Sequence, residues 1–215
     1  MENFKVVKLT NYDAKKWLLK KHYAKRLCSI SYVYGITDGN KILGICTFGF
    51  PPNNSYNDGK CLFKKLKVRT LELNRLVINS NNYKNILSFF VAKSLKMLPK
   101  PCAIVSYADP NQNHYGYIYQ ATNWIYLGKS TPKHRYYFEN GETFDIRRGI
   151  HNKGKIVKKE KIESTLRYLY LLGSKKEKKE MFKDLKIKQQ PYPKGKSLKY
   201  NCVDLDIFYQ RGLFE

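Results

Sequence analysis

The chain has 215 residues, of which 41 are Lys or Arg and 17 are Asp or Glu, so its formal net charge is +24. This length suits one domain with an extension and is enough to bury a sizeable core. The charge is unlike that of an ordinary near-neutral enzyme and indicates a polyanionic partner, nucleic acid or a nucleotide, although a basic surface that serves solubility alone is the alternative.

The cysteines and the apolar segments indicate the cellular compartment of the protein. No C-x-x-C and no zinc-ligand spacing connects the five cysteines, which are Cys28, Cys46, Cys61, Cys102 and Cys202. No apolar leader follows the N-terminus, and the longest apolar stretch, 86–92, is too short to cross a bilayer. We therefore expect a protein of a reducing cytoplasm that has no membrane partner.

Hydrophobic periodicity and turn residues predict strands and helices in a mixed order. Thr10 is expected to cap the first helix, and Ser174 with Glu177 forms a capping box that opens the last one. In chain order, the predicted elements are strand 4–9, helix 10–21, strands 29–36 and 41–50, strand 71–78, helix 85–98, strand 102–107, helix 113–121, strand 124–128, a two-residue hairpin of the primed type that joins 134–139 to 142–147, and helix 174–188.

This order predicts an α/β fold with a mixed central sheet and a crossover in its middle. We expect residues 1–150 to form the catalytic domain. Residues 151–215 would form a basic C-terminal extension that contacts nucleic acid. Within this extension, 151–161 is predicted to be a charged linker, and 166–172 is a short apolar run.

The most specific pattern lies in residues 104–128. An apolar strand ends at Asp109-Pro110, Tyr119 follows on the last turn of a short helix, and Trp124 opens the next strand. Ligands collect at strand ends near a topological break of a mixed sheet, so Asp109 is a candidate proton acceptor or metal ligand. It is equally suited to cap the helix that follows. Tyr119 is suited either to acid catalysis or to packing.

This segment carries a resemblance to the Mom-type DNA adenine-modification proteins of bacteriophages, within the Gcn5-related N-acetyltransferase superfamily. The matching residues are Ser106-Tyr107-Ala108-Asp109-Pro110, Ile118-Tyr119-Gln120-Ala121 and Asn123-Trp124. The resemblance implies an acetyltransferase-type sheet that splays two parallel strands, with Tyr119 as general acid. It also implies that His22 and Tyr23 complete the site, and that Tyr23 and Asp109 hold iron.

The function that the resemblance implies is attachment of a carbamoylmethyl group to adenine N6, which shields phage DNA from host restriction nucleases. Double-stranded DNA would be the partner, in the cytoplasm of an infected bacterium. A basic run at the last helix favours phosphate contact. The expected roles are catalysis by Asp109, Tyr119, His22 and Tyr23; substrate binding by Tyr107, Ser106, Trp124, Arg75 and Asn74, with Tyr107 and Trp124 as the candidates to stack on the base; and nucleic-acid binding by Lys175, Lys176, Lys178 and Lys179.

The acyl donor is either acetyl-CoA or glycyl-tRNA. The turn 79–84 contains no glycine, whereas acetyltransferases use a Gly-rich turn there to hold the coenzyme pyrophosphate at a helix N-terminus. This departure indicates a donor that is held differently. A glycyl amide on N6 is an isomer of the carbamoylmethyl product, so glycyl transfer from tRNA followed by rearrangement would yield it. An acetyl donor followed by amination, with iron, is the alternative.

Two other functions remain open at this point. One is an N-acetyltransferase that acts on a protein or a small amine, which coenzyme A binding without retention on a heparin-like resin would favour. The other is a basic DNA-binding protein that has no catalytic activity, which unmodified adenine in expressing cells would favour. No Phe-x-Gly-x-Gly stretch is present, and this argues against a methyltransferase that uses S-adenosylmethionine.

Overall fold

The computed structural model describes residues 3–22, 25–52, 59–79, 83–131, 133–145 and 154–195. The helices are α1 (Asn11–Lys20), α2 (Ile86–Lys96), α3 (Tyr117–Ala121) and α4 (Lys175–Lys183). The strands are β1 (Lys5–Leu9), β2 (Tyr32–Thr37), β3 (Ile42–Gly49), β4 (Thr70–Ile78), β5 (Cys102–Ala108), β6 (Ile125–Lys129), β7 (Lys133–Phe138), β8 (Thr143–Asp145), β9 (Ile156–Ile162) and β10 (Leu166–Leu172).

Seven strands form the central sheet, in the order β1-β2-β3-β4-β5-β10-β6. All neighbours are antiparallel except β4 and β5, which are parallel. A parallel pair needs a crossover, and α2 provides it. The predicted mixed α/β sheet with a central crossover is therefore confirmed.

The parallel pair separates before either strand ends. Strands β4 and β5 are paired only from Thr70 to Glu72 and from Ala103 to Val105. Beyond these residues, β4 continues to Ile78 and β5 continues to Ala108 without a shared ladder. The space between these unpaired ends is called the β4/β5 cleft below.

The sheet is covered by helices on both faces. On one face, called the α2 face, Phe90 and Val91 of α2 and Tyr119 of α3 join the largest hydrophobic cluster. On the opposite α1 face, Trp17 and Leu18 of α1 pack with residues of β3 and β4. Next to α1 on this face, α4 and the segment 59–69 cover β5, β6 and β10. The cleft therefore opens between two buried layers.

The C-terminal part of the chain completes the central sheet, which corrects the expected boundary at residue 150. Strand β10 lies between β5 and β6 and pairs with β5 over its whole length. Leu166 and five other residues of this strand are buried or half-buried hydrophobics, as expected for a central strand. The predicted linker 151–161 also contains most of β9. The described residues 154–195 are thus part of the same folding unit.

A second sheet, in the order β8-β7-β9, lies between β6 and β10 along the chain. Its β7–β8 hairpin confirms the predicted pair of strands, but the predicted two-residue primed turn is wrong. Phe138 pairs with Glu142 through a backbone hydrogen bond of 3.0 Å, which leaves a three-residue loop. Only Gly141 in this loop has a positive φ, +78°, whereas a type I′ turn requires two such residues.

Two predicted helices are shorter than expected. Helix α3 begins at Tyr117 rather than at residue 113, because Asn113 and Gly116 have left-handed φ values of +55° and +79°. Helix α4 ends at Lys183 rather than near residue 188, where Asp184 leaves the helical conformation. None of the helices in the described ranges is long and apolar enough to cross a membrane.

Candidate active site

A β-bulge shapes the β4 side of the cleft. Thr47 of β3 faces Arg75 and the next residue, Phe48, faces Leu73, so Asn74 is an extra residue in β4. The Asn74 side chain fixes this bulge, because its Oδ1 accepts a 2.6 Å hydrogen bond from Thr47 and its Nδ2 donates a 2.6 Å bond to the Ser29 carbonyl. Bulges of this kind redirect side chains beside active sites.

A chain of hydroxyl groups crosses the cleft at its narrow end. Ser106 Oγ on β5 donates a 2.8 Å hydrogen bond to the Leu73 carbonyl on β4. The Tyr119 hydroxyl lies 2.6 Å from the same Oγ. A serine has one proton and a carbonyl only accepts, so the Tyr119 hydroxyl donates to Ser106. This bond points the phenolic end of Tyr119 into the space where β4 and β5 separate.

Positive charge gathers on the bulge side of the cleft. Arg75 follows the bulge, and its guanidinium donates a 2.5 Å hydrogen bond to the Asn74 carbonyl. His22, just after α1, is 7% exposed. Burial lowers the pKa of His22 to about 3, with smaller contributions from Arg75, His114 and Arg26. His22 is therefore a neutral imidazole at pH 7, within electrostatic reach of two arginines and a second histidine.

Asp109 directly follows β5, and its carboxylate interacts electrostatically with His114. Its Oδ1 accepts two hydrogen bonds from Asn111, at 3.0 Å from the backbone nitrogen and at 2.8 Å from Nδ2. It thereby caps the single 3₁₀ turn Pro110–Gln112, as one of the two sequence interpretations predicted. Burial lowers the pKa of His114, and the Asp109 carboxylate opposes this shift. Asp109 thus has a structural contact and an electrostatic partner at the site.

Comparisons with known proteins show to which family the chain belongs. The model of the Mom protein family matches residues 3–194. The chain belongs to the Mom protein family. It is 25% identical over 211 residues to the protein "Methylcarbamoylase mom" of Escherichia phage Mu, in an alignment that covers 90% of this chain and 85% of the relative.

Among solved structures, this Mom-family chain is similar to Arabidopsis thaliana NAA60 in complex with a bisubstrate analogue. The two are 11% identical with a TM-score of 0.44, and the match covers 79% of this chain and 99% of that one. The Mom match extends from β1 through α4, so it includes β10 and the segment after residue 150. The family that the 104–128 pattern indicated is confirmed.

Not every expected site residue reaches the cleft. Trp124 is fully buried, and its ring packs against Tyr119 at 5.0 Å and Tyr170 at 5.5 Å between centroids. It is a core residue, which corrects its expected role in stacking on a base. Tyr107 points to the α1 face, where it is half-buried beside the second hydrophobic cluster. Of the two stacking candidates, only Tyr107 retains an accessible ring.

The described residues do not by themselves form an iron site. Tyr23, one of the two expected iron ligands, lies outside the described residues. Within the described ranges, no group of three or more His, Cys, Asp or Glu side chains is arranged to hold a metal ion. Asp109 uses Oδ1 to cap the turn after β5.

The remaining sequence predictions fall in three places. Half of the glycine-free turn 79–84, residues 80–82, lies outside the described residues. The predicted phosphate-binding lysines of α4 are all exposed, and the helix packs by Met181 onto the α1 face. His114 and Arg26 lie within electrostatic reach of His22, and sequence reasoning missed both. His114 could have been found as the histidine between Asp109 and Tyr119.

The burial of His22 predicts an acid-sensitive fold. Between pH 8 and pH 5 the unfolded chain takes up a proton at a histidine with the ordinary pKa of 6.5, whereas folded His22 has a pKa of about 3. The unfolded state binds more protons, so stability falls as the pH falls, by about 2 kcal/mol for this residue. Urea unfolding at both pH values should show this loss in the wild type and a correspondingly smaller loss in His22→Gln. Equal pH dependence in both proteins would contradict the assignment.

Proposed function

We propose that this Mom-family protein is a phage DNA-modification enzyme that transfers an acyl-derived group to adenine N6, yielding a carbamoylmethyl-type product. The observation that carries the proposal is the arrangement of the cleft. Asp109 and His114 lie at the end of β5, Arg75 and His22 lie on the β4 side, and the Tyr119 hydroxyl lies between the strands. The enzyme would act on double-stranded DNA in the cytoplasm of an infected bacterium.

The target amine dictates what the site must do. Adenine N6 is conjugated with the ring and is a poor nucleophile, and inside a duplex it is inaccessible. The base must therefore leave the stack and be held in the cleft. Tyr107 on the α1 face offers an aromatic surface for it. Ser106 and Asn74 would hold the narrow end of the cleft open, since both fix the backbone of β4.

Asp109 and Tyr119 would move the protons. N6 attacks the acyl carbon of the donor ester, and the Asp109 carboxylate takes the proton that N6 loses. The ester C–O bond breaks, and the leaving oxygen takes the proton of the Tyr119 hydroxyl. Arg75 would stabilise the negative charge that develops on the acyl oxygen. Neutral His22 and His114 would orient Asp109 without adding a competing positive charge.

Glycyl-tRNA is the donor that accounts for the product without an outside oxidant. Transfer of the glycyl group gives a glycyl amide on N6. The glycyl amine then attacks ring carbon C6 and loses a proton, the C6–N6 bond breaks, and the former N6 gains a proton as the new carboxamide nitrogen. The product is the carbamoylmethyl isomer. Acetyl-CoA is the competing donor, and the absence of glycine in the turn 79–84 argues against it.

Labelled glycine tests the donor. Cells that express the protein and receive glycine labelled at the nitrogen and both carbons should incorporate all three labels together into modified adenine. The reason is that the rearrangement moves the glycyl unit without breaking its internal bonds. Unlabelled modified adenine, or separated labels, would exclude the glycyl route and leave the acyl-transfer assignment intact.

Restriction protection tests the function. Plasmid DNA from expressing cells should resist restriction nucleases whose recognition sites contain adenine, whereas the same plasmid from cells without the protein should be cut. Nucleases whose sites lack adenine serve as the control and should cut both preparations. Full cleavage by every nuclease, with the protein present and folded, would contradict the proposed function.

A further inference from the structure

We infer that α4 and the segment 59–69 together form a binding surface for the phosphate backbone of double-stranded DNA. The choice of nucleic acid as the partner rests on the proposed function. The surface itself is built from two parts of the sequence that are more than one hundred residues apart. The segment 59–69 carries no functional assignment from its sequence.

Asp184 joins the two parts. Its Oδ2 accepts hydrogen bonds from the backbone nitrogens of Lys65, at 2.9 Å, and of Leu66, at 2.8 Å. Its carbonyl accepts a 2.9 Å bond from the Lys64 nitrogen. These backbone hydrogen bonds hold the pKa of the Asp184 carboxyl below its usual range. The aspartate that ends α4 thus fixes the basic segment beside the helix.

Apolar contacts complete this junction. Phe63 and Leu185 form an isolated antiparallel bridge, and both side chains are buried. Lys186 donates from its backbone nitrogen to the Leu62 carbonyl at 2.8 Å and from its side chain to the Lys60 carbonyl at 2.6 Å. The lysines on either side of the junction are therefore held on one continuous surface, called the lysine surface below.

The lysine surface carries far more basic than acidic side chains. The acidic side chains of this surface are Glu177, Glu180 and Asp184. Glu177 is engaged in the capping box of α4, and Asp184 holds the segment 59–69. The basic side chains are all exposed: five from the segment, Lys60, Lys64, Lys65, Lys67 and Arg69, and seven from the helix and the residues after it, Lys175, Lys176, Lys178, Lys179, Lys183, Lys186 and Lys188.

The charges of α4 are not neutralised within the described residues. None of the described acidic side chains forms an ion pair with the five lysines of this helix. The helix buries a single side chain, Met181. The helix has five lysines and two glutamates, so most of its charges are alike and the excess of lysines does not stabilise it. Their concentration is explained by a polyanion that lies against them.

The size and position of the lysine surface fit a duplex. The nine residues of α4 span about 13 Å, over which double-stranded DNA carries about eight phosphate charges. The lysine surface lies on the α1 face, where its buried side chains Leu62 and Met181 belong to the same cluster that Tyr107 packs against. A duplex bound there would run past the side of the sheet to which Tyr107 points.

The test is the salt dependence of binding to a fluorescent DNA duplex and, in a second arm, to tRNA. The variant Lys64→Gln/Lys65→Gln/Lys67→Gln removes three charges from the lysine surface. The matched control Lys93→Gln/Lys96→Gln/Lys100→Gln removes three exposed charges from α2 and the residues just after it. Each lost phosphate contact should lower the magnitude of the slope of log K against log salt by about 0.9. For the first variant we therefore expect this magnitude to fall by about two to three.

The control should retain a slope within about 0.5 of the wild type, since distant charges act only through the screened long-range field. A loss confined to the first variant in the DNA arm supports the lysine surface as a DNA site, whereas a loss seen only in the tRNA arm overturns it. Equal slopes for both variants in both arms would overturn it. Binding is measured without catalysis, so this outcome is independent of whether adenine is modified. Thermal unfolding confirms that each variant is folded.

Discussion

Replacing Asp109 by asparagine is expected to lower adenine modification by about 10²- to 10⁴-fold, the usual contribution of a positioned general base. Asparagine retains an Oδ1 that can accept the hydrogen bonds from Asn111, so the cap of the turn after β5 survives. It lacks the negative charge that takes up the N6 proton. The measurement is the fraction of modified adenine in plasmid DNA, with thermal unfolding of the purified variant alongside.

The control for Asp109 separates its side-chain hydrogen bonding from catalysis. Asn111→Ala removes the 2.8 Å side-chain bond to the Asp109 carboxylate and the 2.8 Å bond to the Glu163 carbonyl, and it leaves the charge and the 3.0 Å bond from the backbone nitrogen in place. This variant should lose about 1–2 kcal/mol of stability and retain most of its activity. If Asp109→Asn is fully active, or if Asn111→Ala is as inactive as Asp109→Asn, the role of Asp109 as a base is refuted.

Replacing Tyr119 by phenylalanine is expected to lower modification by about 100-fold and stability by only about 1 kcal/mol. The ring and its packing against Trp124 and Tyr168 remain, and Ser106 keeps its bond to the Leu73 carbonyl. Only the hydroxyl in the cleft is removed. Single-turnover modification of a DNA duplex by purified protein, once the donor is supplied, measures the effect on the chemical step.

Tyr168 provides a matched control for this variant. Its ring lies 5.0 Å from that of Tyr119, and its hydroxyl donates a 2.7 Å hydrogen bond to the Tyr115 carbonyl rather than into the cleft. Tyr168→Phe therefore removes a buried hydroxyl of the same cluster at a similar cost in stability. We expect near wild-type activity from it. Equal losses in the two variants would show that packing, and not acid catalysis, explains the effect of Tyr119→Phe.

Local sequence signals predicted the parts of the fold in which neighbouring residues decide the structure. Thr10 and Ser174 open helices through capping boxes, as expected. The turn after Thr37 joins β2 to β3, and Asp38 Oδ1 accepts hydrogen bonds from the backbone nitrogens of Asn40 and Lys41. The sequence could indicate Asp109 and Tyr119 as candidate site residues because both lie in one short segment. In each case the determining contacts are only a few residues apart.

The parts that sequence reasoning missed depend on contacts between distant residues. Strand β10 looked like an isolated apolar run because its partners, β5 and β6, precede it by many residues. The lysine surface requires Asp184 to meet Lys65 and Leu66, a contact that no periodicity reveals. Trp124 was expected to stack on a base, but contacts with Tyr119 and Tyr170 across the core bury it, and these contacts cannot be read from the local sequence.

The most direct measurement of the central claim is tandem mass spectrometry of nucleosides from DNA of cells that express the protein. The proposed function predicts deoxyadenosine with one added carbamoylmethyl group on N6. This nucleoside should be present with the wild type and lost with Asp109→Asn. The decisive fragment is the modified base, in which the added group must remain attached through the exocyclic nitrogen. Unmodified deoxyadenosine in cells that contain folded wild-type protein, or a modification on another base, would contradict the claim.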